Sequence, residues 1–137
     1  MLSHKIVLSV GCFDPLHVGH VKHFKAARTL GHYLVVAVTK DSHVNKGPRR
    51  PVFNQAQRME MVRELRCVDM VLLSESAAES LSIIKPHIFA LGWEYKNRVQ
   101  PEHRAYCDQM GIEIAFTNEP VFSSTDLLHY YDRPQPR

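Results

Sequence analysis

The chain has 137 residues, 45% of them apolar, which is enough to build one compact domain with its own core and no help from disulfides. A formal net charge of +3 is modest, and the basic residues bunch in HVNKGPRR (43–50) with no aromatic residues between them to stack on bases, which favours small anions over long nucleic acid. Cys12, Cys67 and Cys107 form no Cys-x-x-Cys pair and fit reduced thiols in a cytoplasmic protein; no stretch approaches the roughly 20 apolar residues of a membrane span, and MLSHKIVLSVG reads as a strand, not a signal peptide.

Apolar runs alternate with amphipathic stretches along the chain. KIVLSVGCF reads as a strand, 18–30 as a helix, YLVVAVTKD as a strand, 55–65 as a helix and DMVLLSE as a strand. A helix over 77–85, the strand HIFALG, a helix over 101–110 and the strand IEIAFTNE follow. Runs such as YLVVAV are almost continuously apolar and suit strands covered on both faces. The pattern predicts an α/β fold: a Rossmann-like, doubly wound, parallel five-stranded sheet with helices on both faces, as a single domain over 1–137. Gly31, Pro86 and Gly111 end the first, third and fourth helices, and the tail DRPQPR is expected to fray. Pro48 and Pro51 keep 42–54 irregular, a loop longer than folding requires, and it holds Lys46, Arg49 and Arg50. In such sheets ligands bind beyond the carboxyl ends of the strands where the strand order reverses, which directs attention to 11–17, 40–54, 92–100 and 118–125.

The first of these loops holds His17 and His20. If the helix begins near Pro15 or Leu16, residues three apart are neighbours, so both imidazoles face one space. Free N–H groups and the positive dipole end favour an anion there, and Gly19 would let a phosphate approach the backbone. Protonated imidazoles would also offset charge that develops on a phosphate under attack. The residues alone leave two other readings open, zinc ligands with Cys12 as a third, or ordinary capping and core histidines. Asp14 before a proline suits an Asx-turn or a weak hold on Mg²⁺. Trp93, just past a strand end, needs a cover, either a base or a dimer partner.

Gly11, Phe13, Asp14, His17, Gly19 and His20 spell G-x-F-D-x-x-H-x-G-H, and on this signature the chain resembles the cytidylyltransferase-like nucleotidyltransferase superfamily. KGPRRPVFNQAQR (46–58), CVD (67–69), LGWEYKNR (91–98) and VFSSTDLL (121–128) extend the likeness over nearly the whole chain. It is nearest in pattern to the branches acting on glycerol 3-phosphate and on heptose 1-phosphate. The region TNEPVF lacks an arginine that the glycerol-phosphate pattern often has, which leans toward the heptose type.

The resemblance implies transfer of CMP or AMP from CTP or ATP to a small phosphorylated acceptor, with release of pyrophosphate. His17, His20 and Lys46 are then the catalytic residues. Gly11, Cys12, Phe13, Asp14, Gly19, Arg58, Gly92, Trp93, Ser123, Ser124 and Thr125 would bind the nucleotide, with Arg58 as a second phosphate contact beside Lys46. Ser123–Thr125 would also cap a final helix. Lys22 and Lys46 would meet the acceptor, and Mg²⁺ would be held mainly by the nucleotide phosphates, with a weak contribution from Asp14. A homodimer is implied, with no nucleic-acid or membrane partner. Surface readings stand beside these: Lys46 and Lys22 as solvated lysines, Arg58 in a helix salt bridge with Glu60 or another carboxylate. Two other functions compete, a nucleotide-binding module of the same fold without catalysis, and an RNA-binding fragment related to the synthetases that share a His-x-Gly-His motif. The latter would have to do without a second lysine-rich loop.

Overall fold

Successive side chains of an extended strand point to opposite faces, so a strand that is apolar at every position must be covered twice. The stretch YLVVAVT meets that condition: Leu34, Val36 and Val38 are buried on one face, Val35 and Ala37 on the other. The computed structural model, which describes residues 4–118, places this segment as β2 (Tyr33–Thr39), next to the sheet centre. Around it lie β1 (Ile6–Gly11), β3 (Met70–Ser74), β4 (Ile88–Gly92) and β5 (Glu113–Thr117), all parallel, in the order β3-β2-β1-β4-β5. Helices α1 (Val18–Thr29) and α2 (Gln55–Arg63) cover one face through Phe24, Ala27 and Val62. Helices α3 (Ala77–Ile84) and α4 (Pro101–Met110) cover the other through Leu81 and Cys107. This is the doubly wound α/β architecture expected from the alternation of apolar runs and amphipathic stretches.

The helix boundaries follow local chemistry. Gly111 closes α4 in the left-handed conformation (φ +71°), as a glycine after a helix commonly does. Gly31 has another reason to be glycine. A Cβ there would lie 2.7 Å from the Lys5 carbonyl oxygen and 2.7 Å from a Val7 methyl, so what forbids a side chain is the close pass of β1. Two single 3-10 turns, Asp41–His43 and Trp93–Tyr95, lie in segments that read as loops, because three residues are too few to show a periodicity.

The strand order turns back at β1, whose neighbours are β2 on one side and β4 on the other. The chain leaves β1 toward one helical layer and β4 toward the other, which opens a crevice at their carboxyl ends. Both strands end in glycine, Gly11 and Gly92.

Phe24 on α1 is fully buried and meets Phe13 edge-on at 5.1 Å. We expect Phe24→Ala to destabilise the fold by about 3–5 kcal/mol, read as a lowered urea midpoint with an unchanged m-value. A loss below about 1 kcal/mol would contradict this packing.

Candidate active site

The loop after β1 is shaped by Phe13. Its backbone sits at φ +53°, a conformation uncommon outside glycine, and its ring folds back over Gly11. A Cβ on Gly11 would come within 2.8 Å of that ring, which explains the glycine two residues before the phenylalanine. The ring is buried and lies edge-on to both Phe24 and His20, each at 5.1 Å. Phe13 therefore supports His20 from behind and leaves little surface for a nucleotide, contrary to its expected binding role.

Helix α1 begins at Val18, as the 18–30 reading has it and later than a start at Pro15 or Leu16, with His17 as its N-cap. The Gly19 N–H donates to Nδ1 of His17, and the His17 N–H donates to Nδ1 of His20, both at 3.1 Å. Two imidazoles thus form a capping box, the reciprocal arrangement more often made by Ser or Thr with Glu or Gln. The capping reading and the ligand-site reading prove compatible. One expectation changes: the Gly19 N–H is engaged by the cap and Gly19 is buried, so this backbone donor is not open to a phosphate.

An Nδ1 that accepts from a backbone N–H carries no proton of its own, so each ring holds its proton on Nε2. The rings stack at 3.8 Å, tilted by 24°, with both Nδ1 atoms turned to the helix backbone and both Nε2–H groups turned away from it. Burial, reinforced by His17, His23 and Lys46 nearby, lowers the His20 pKa to about 3. His20 is therefore a neutral donor at ordinary pH, and the expectation of a protonated imidazole does not hold for it. Lys46 is exposed, and its charge reaches His20 across the site.

Asp14 is buried and accepts from the Val52 N–H (2.7 Å), the Phe53 N–H (2.8 Å) and Arg50 Nε (3.0 Å). Burial alone would raise its pKa, but these donors outweigh it and hold the carboxyl below its ordinary value. Both oxygens are committed, so Asp14 does not fit a metal ion. Its partners lie in the 50–53 segment, so it ties two loops together and forms no Asx-turn on its own loop. Among the described residues no group of three His, Cys, Asp or Glu side chains could hold a metal ion.

Arg58 departs most from expectation. It is completely buried and donates to the carbonyls of Phe53 (2.9 Å) and Cys12 (2.8 Å) and to Asp41 Oδ1 (2.6 Å). A guanidinium with three such partners and no exposed surface binds loops to one another and does not contact a phosphate; nor is it paired with Glu60. Cys12 contributes its carbonyl to this knot, and its thiol, like those of Cys67 and Cys107, is unpaired.

On the other wall, Gly92 lies beneath the Glu94 carboxyl, which an added Cβ would strike. Trp93 is 45% exposed, and the Lys96 ammonium sits 4.2 Å from its ring centroid, so a cation covers part of the indole. Lys22 is exposed on α1. Ser123, Ser124 and Thr125 lie outside the described residues.

His23 was not among the site residues expected from the sequence. The structure holds it, partly buried, between Ser9 and Thr117, with ring nitrogens 2.9 Å and 2.7 Å from their hydroxyls, and desolvation lowers its pKa to about 4. Its spacing from His20 was visible, but its partners, 14 and 94 residues away, were not.

A doubly wound sheet with paired imidazoles on a helix start at its switch point defines a class of α/β domains whose ligand crevice lies beyond the strand ends. The chain belongs to the cytidylyltransferase-like family, whose model matches residues 8–127. It is 41% identical over 101 residues to the bifunctional protein HldE of Aliarcobacter butzleri, covering 71% of this chain and 21% of that protein. Against the bifunctional protein HldE of Coxiella burnetii (strain Dugway 5J108-111), identity is 39% over 131 residues, covering 90% and 27%. The chain thus spans about a quarter or less of these relatives. Among solved structures, the lipopolysaccharide core biosynthesis protein of Thermoplasma volcanium superposes with a TM-score of 0.71 at 27% identity, covering 88% of this chain and all of that one. The pantothenate synthetase of Thermus thermophilus shares the fold alone (TM-score 0.60, 12% identity, 82% and 55% covered). No helix among the described residues is long and apolar enough to cross a membrane.

The lowered histidine pKa values set an acid limit. The unfolded chain takes protons on His20 and His23 near the ordinary 6.5, whereas the folded protein waits until about 3 and about 4. Stability is full above pH 6.5 and falls as the pH drops below it, by up to about 1.4 kcal/mol per unit for each ring. Imidazole resonances should show both rings neutral at pH 5 while the melting temperature falls between pH 7 and 5. Either ring titrating near 6.5 would contradict the burial.

Proposed function

We propose that the chain is a nucleotidyltransferase that moves CMP or AMP from CTP or ATP onto the phosphate of a small sugar or polyol phosphate. The observation that supports this most is the stacked histidine pair with two Nε2–H donors at the switch point of the sheet. An acceptor phosphate oxygen attacks the α-phosphorus, the bond to the bridging oxygen of the β-phosphate breaks, and pyrophosphate leaves. The acceptor oxygen is already a competent nucleophile, so no covalent enzyme intermediate is needed and the protein's task is positioning and charge stabilisation.

His17 and His20 would donate to an α-phosphate oxygen and to the bridging oxygen, whose negative charge grows as the bond breaks. Neutral donors suit this role, because they strengthen toward the developing charge without placing two stacked cations side by side. Lys46 would bring its ammonium over the outer phosphates, and Lys22 would meet the acceptor. Gly11, covered by the Phe13 ring, and Gly92, beneath the Glu94 carboxyl, would shape the strand ends behind the nucleotide, and Trp93 with Lys96 would border the base. Ser123–Thr125 keep the triphosphate role that the family resemblance implies. The described residues supply no cage for Mg²⁺, so in this reading the ion arrives on the nucleotide phosphates.

The HldE relatives and the arginine-free TNEPVF segment favour AMP transfer to a heptose 1-phosphate over CMP transfer to glycerol 3-phosphate. A homodimer, supported by the resemblance and the exposed Trp93, and a cytoplasmic setting, supported by the unpaired cysteines, complete the reading.

Pyrophosphate release should be followed with ATP or CTP against heptose 1-phosphate, glycerol 3-phosphate and phosphoethanolamine. We expect release with ATP and heptose 1-phosphate. Nucleotide binding by calorimetry with no release across the panel would favour the non-catalytic module.

His17→Ala and His20→Ala should each lower kcat at least about 100-fold, roughly 3 kcal/mol of transition-state stabilisation. Because His17 is also a cap, His17→Asn should restore about 1 kcal/mol of stability relative to the alanine variant without restoring turnover. Recovery of turnover by asparagine would assign His17 to capping alone. Lys46→Ala should weaken nucleotide use about tenfold or more and leave the melting temperature unchanged, since the side chain is exposed. An unaltered KM and kcat would remove Lys46 from the site.

A further inference from the structure

Beside the histidine pair lies a partly buried polar bridge that the proposed chemistry does not use. His23 stands three residues after His20 on α1, on adjoining helix surface. Its Nε2 is 2.9 Å from Ser9 Oγ on β1, and its Nδ1 is 2.7 Å from Thr117 Oγ1, the last residue of β5. Ser9 and Thr117 are both buried. A neutral imidazole has one donor and one acceptor nitrogen, so one hydroxyl accepts from the ring and the other donates to it, and both ring nitrogens are satisfied.

The bridge spans β4, which lies between β1 and β5. On that face β4 presents small residues: Ala90 belongs to the core cluster under α1, and Gly92 pairs with Thr117 in register. A larger residue at position 90 would compete with the imidazole for this space. A ring path also leads back to the site. His23 packs on Phe24 at 5.7 Å, Phe24 on Phe13 at 5.1 Å, and Phe13 on His20 at 5.1 Å.

We propose that His23 is a positioning residue: by bonding Ser9 and Thr117 at once, it fixes the first turns of α1 against the ends of β1 and β5 and so holds the His20 ring in the orientation that presents its Nε2–H to the ligand. An apolar residue of similar size would fill the volume but leave two buried hydroxyls without this partner and α1 without its polar anchor. The kinetic arm of this inference rests on the nucleotidyl-transfer reading; the spectroscopic arm does not.

The test compares His23→Leu, His23→Gln, Ser9→Ala and Thr117→Val with Leu81→Ala, a core truncation on the opposite face of the sheet. Turnover, melting temperature and the ring nitrogen resonances of His20 are measured for each. His23→Leu should lower kcat about tenfold or more with the nucleotide KM changed less than about threefold, and should replace the single Nε2–H tautomer of His20 by a mixture. His23→Gln, which can both donate and accept, should recover most of the turnover and the single tautomer. Leu81→Ala should lose melting temperature alone.

If His23→Leu does not fold, Ser9→Ala and Thr117→Val give the same comparison with one hydroxyl removed at a time. Loss of melting temperature with kcat and the His20 tautomer both unaltered, as in Leu81→Ala, would overturn the proposal and leave His23 as core. If the unaltered protein releases no pyrophosphate with any pairing, the transfer reading fails, and the His20 tautomer alone decides the role of His23.

Discussion

A carboxylate taken out of water must be met by donors, and the three that meet Asp14 all come from residues 50–53. This single commitment fastens the long loop after β2 onto the loop after β1. Arg58 tightens the same junction, since its guanidinium joins Cys12 of the first loop, and Phe53 and Asp41 of the second, Asp41 lying in the 3-10 turn that follows β2. With both loops fastened, Lys46 is held on a segment anchored beside His17 and His20. A buried arginine with a full set of acceptors and a buried carboxylate with a full set of donors are stable only as a closed network, and removing one member exposes the rest to the penalty of an unpartnered charge.

The fold was legible because its signals are local. Continuous apolar runs mark strands covered twice, a glycine marks the end of α4, and the alternation of strand and helix leaves a parallel sheet as the economical arrangement. The roles of Phe13, Asp14 and Arg58 were not legible for the opposite reason. Each belongs to a motif whose spacing is visible, but its partner is set by tertiary approach: Asp14 meets residues 36 to 39 positions away, and Arg58 meets Cys12 at 46. A charged residue near a phosphate-binding loop invites the reading of a ligand contact. Only burial distinguishes a residue that touches the ligand from one that holds the loop that does. Gly31 shows the same limit in small: its position at a helix end suggested a conformational role, whereas the close approach of Lys5 and Val7 is what excludes a side chain.

The histidine pair shows how one local device serves two ends. A helix start has N–H groups that need acceptors, and an imidazole Nδ1 provides one while its Nε2–H remains a donor on the far side of the ring. Capping therefore sets the tautomer, and in the proposed transfer the tautomer would set which nitrogen meets the phosphate. Aspartate would cap as well but would present no donor, serine would keep its one O–H donor at the capping oxygen itself rather than on the far side of a ring, and lysine would bring charge without capping. Stacking the rings at 3.8 Å further disfavours protonation of either while the other is charged, in keeping with the low pKa of His20.

From this follows a division of labour between partly buried donors and exposed charge. Groups near the strand ends that need a fixed direction are neutral or internally paired: His20, His23, and Asp14 with Arg50. The full positive charge facing outward belongs to exposed side chains such as Lys46 and Lys22. A buried cation at the site would have to be desolvated before each ligand arrived, whereas an exposed ammonium stays hydrated until phosphate oxygens replace its water. Directional hydrogen bonds can thus be built into the scaffold in advance, while charge neutralisation is deferred until the anion is present. In the proposed transfer the paired imidazoles would supply the first, and the loop fastened by Asp14 would bring the second within reach.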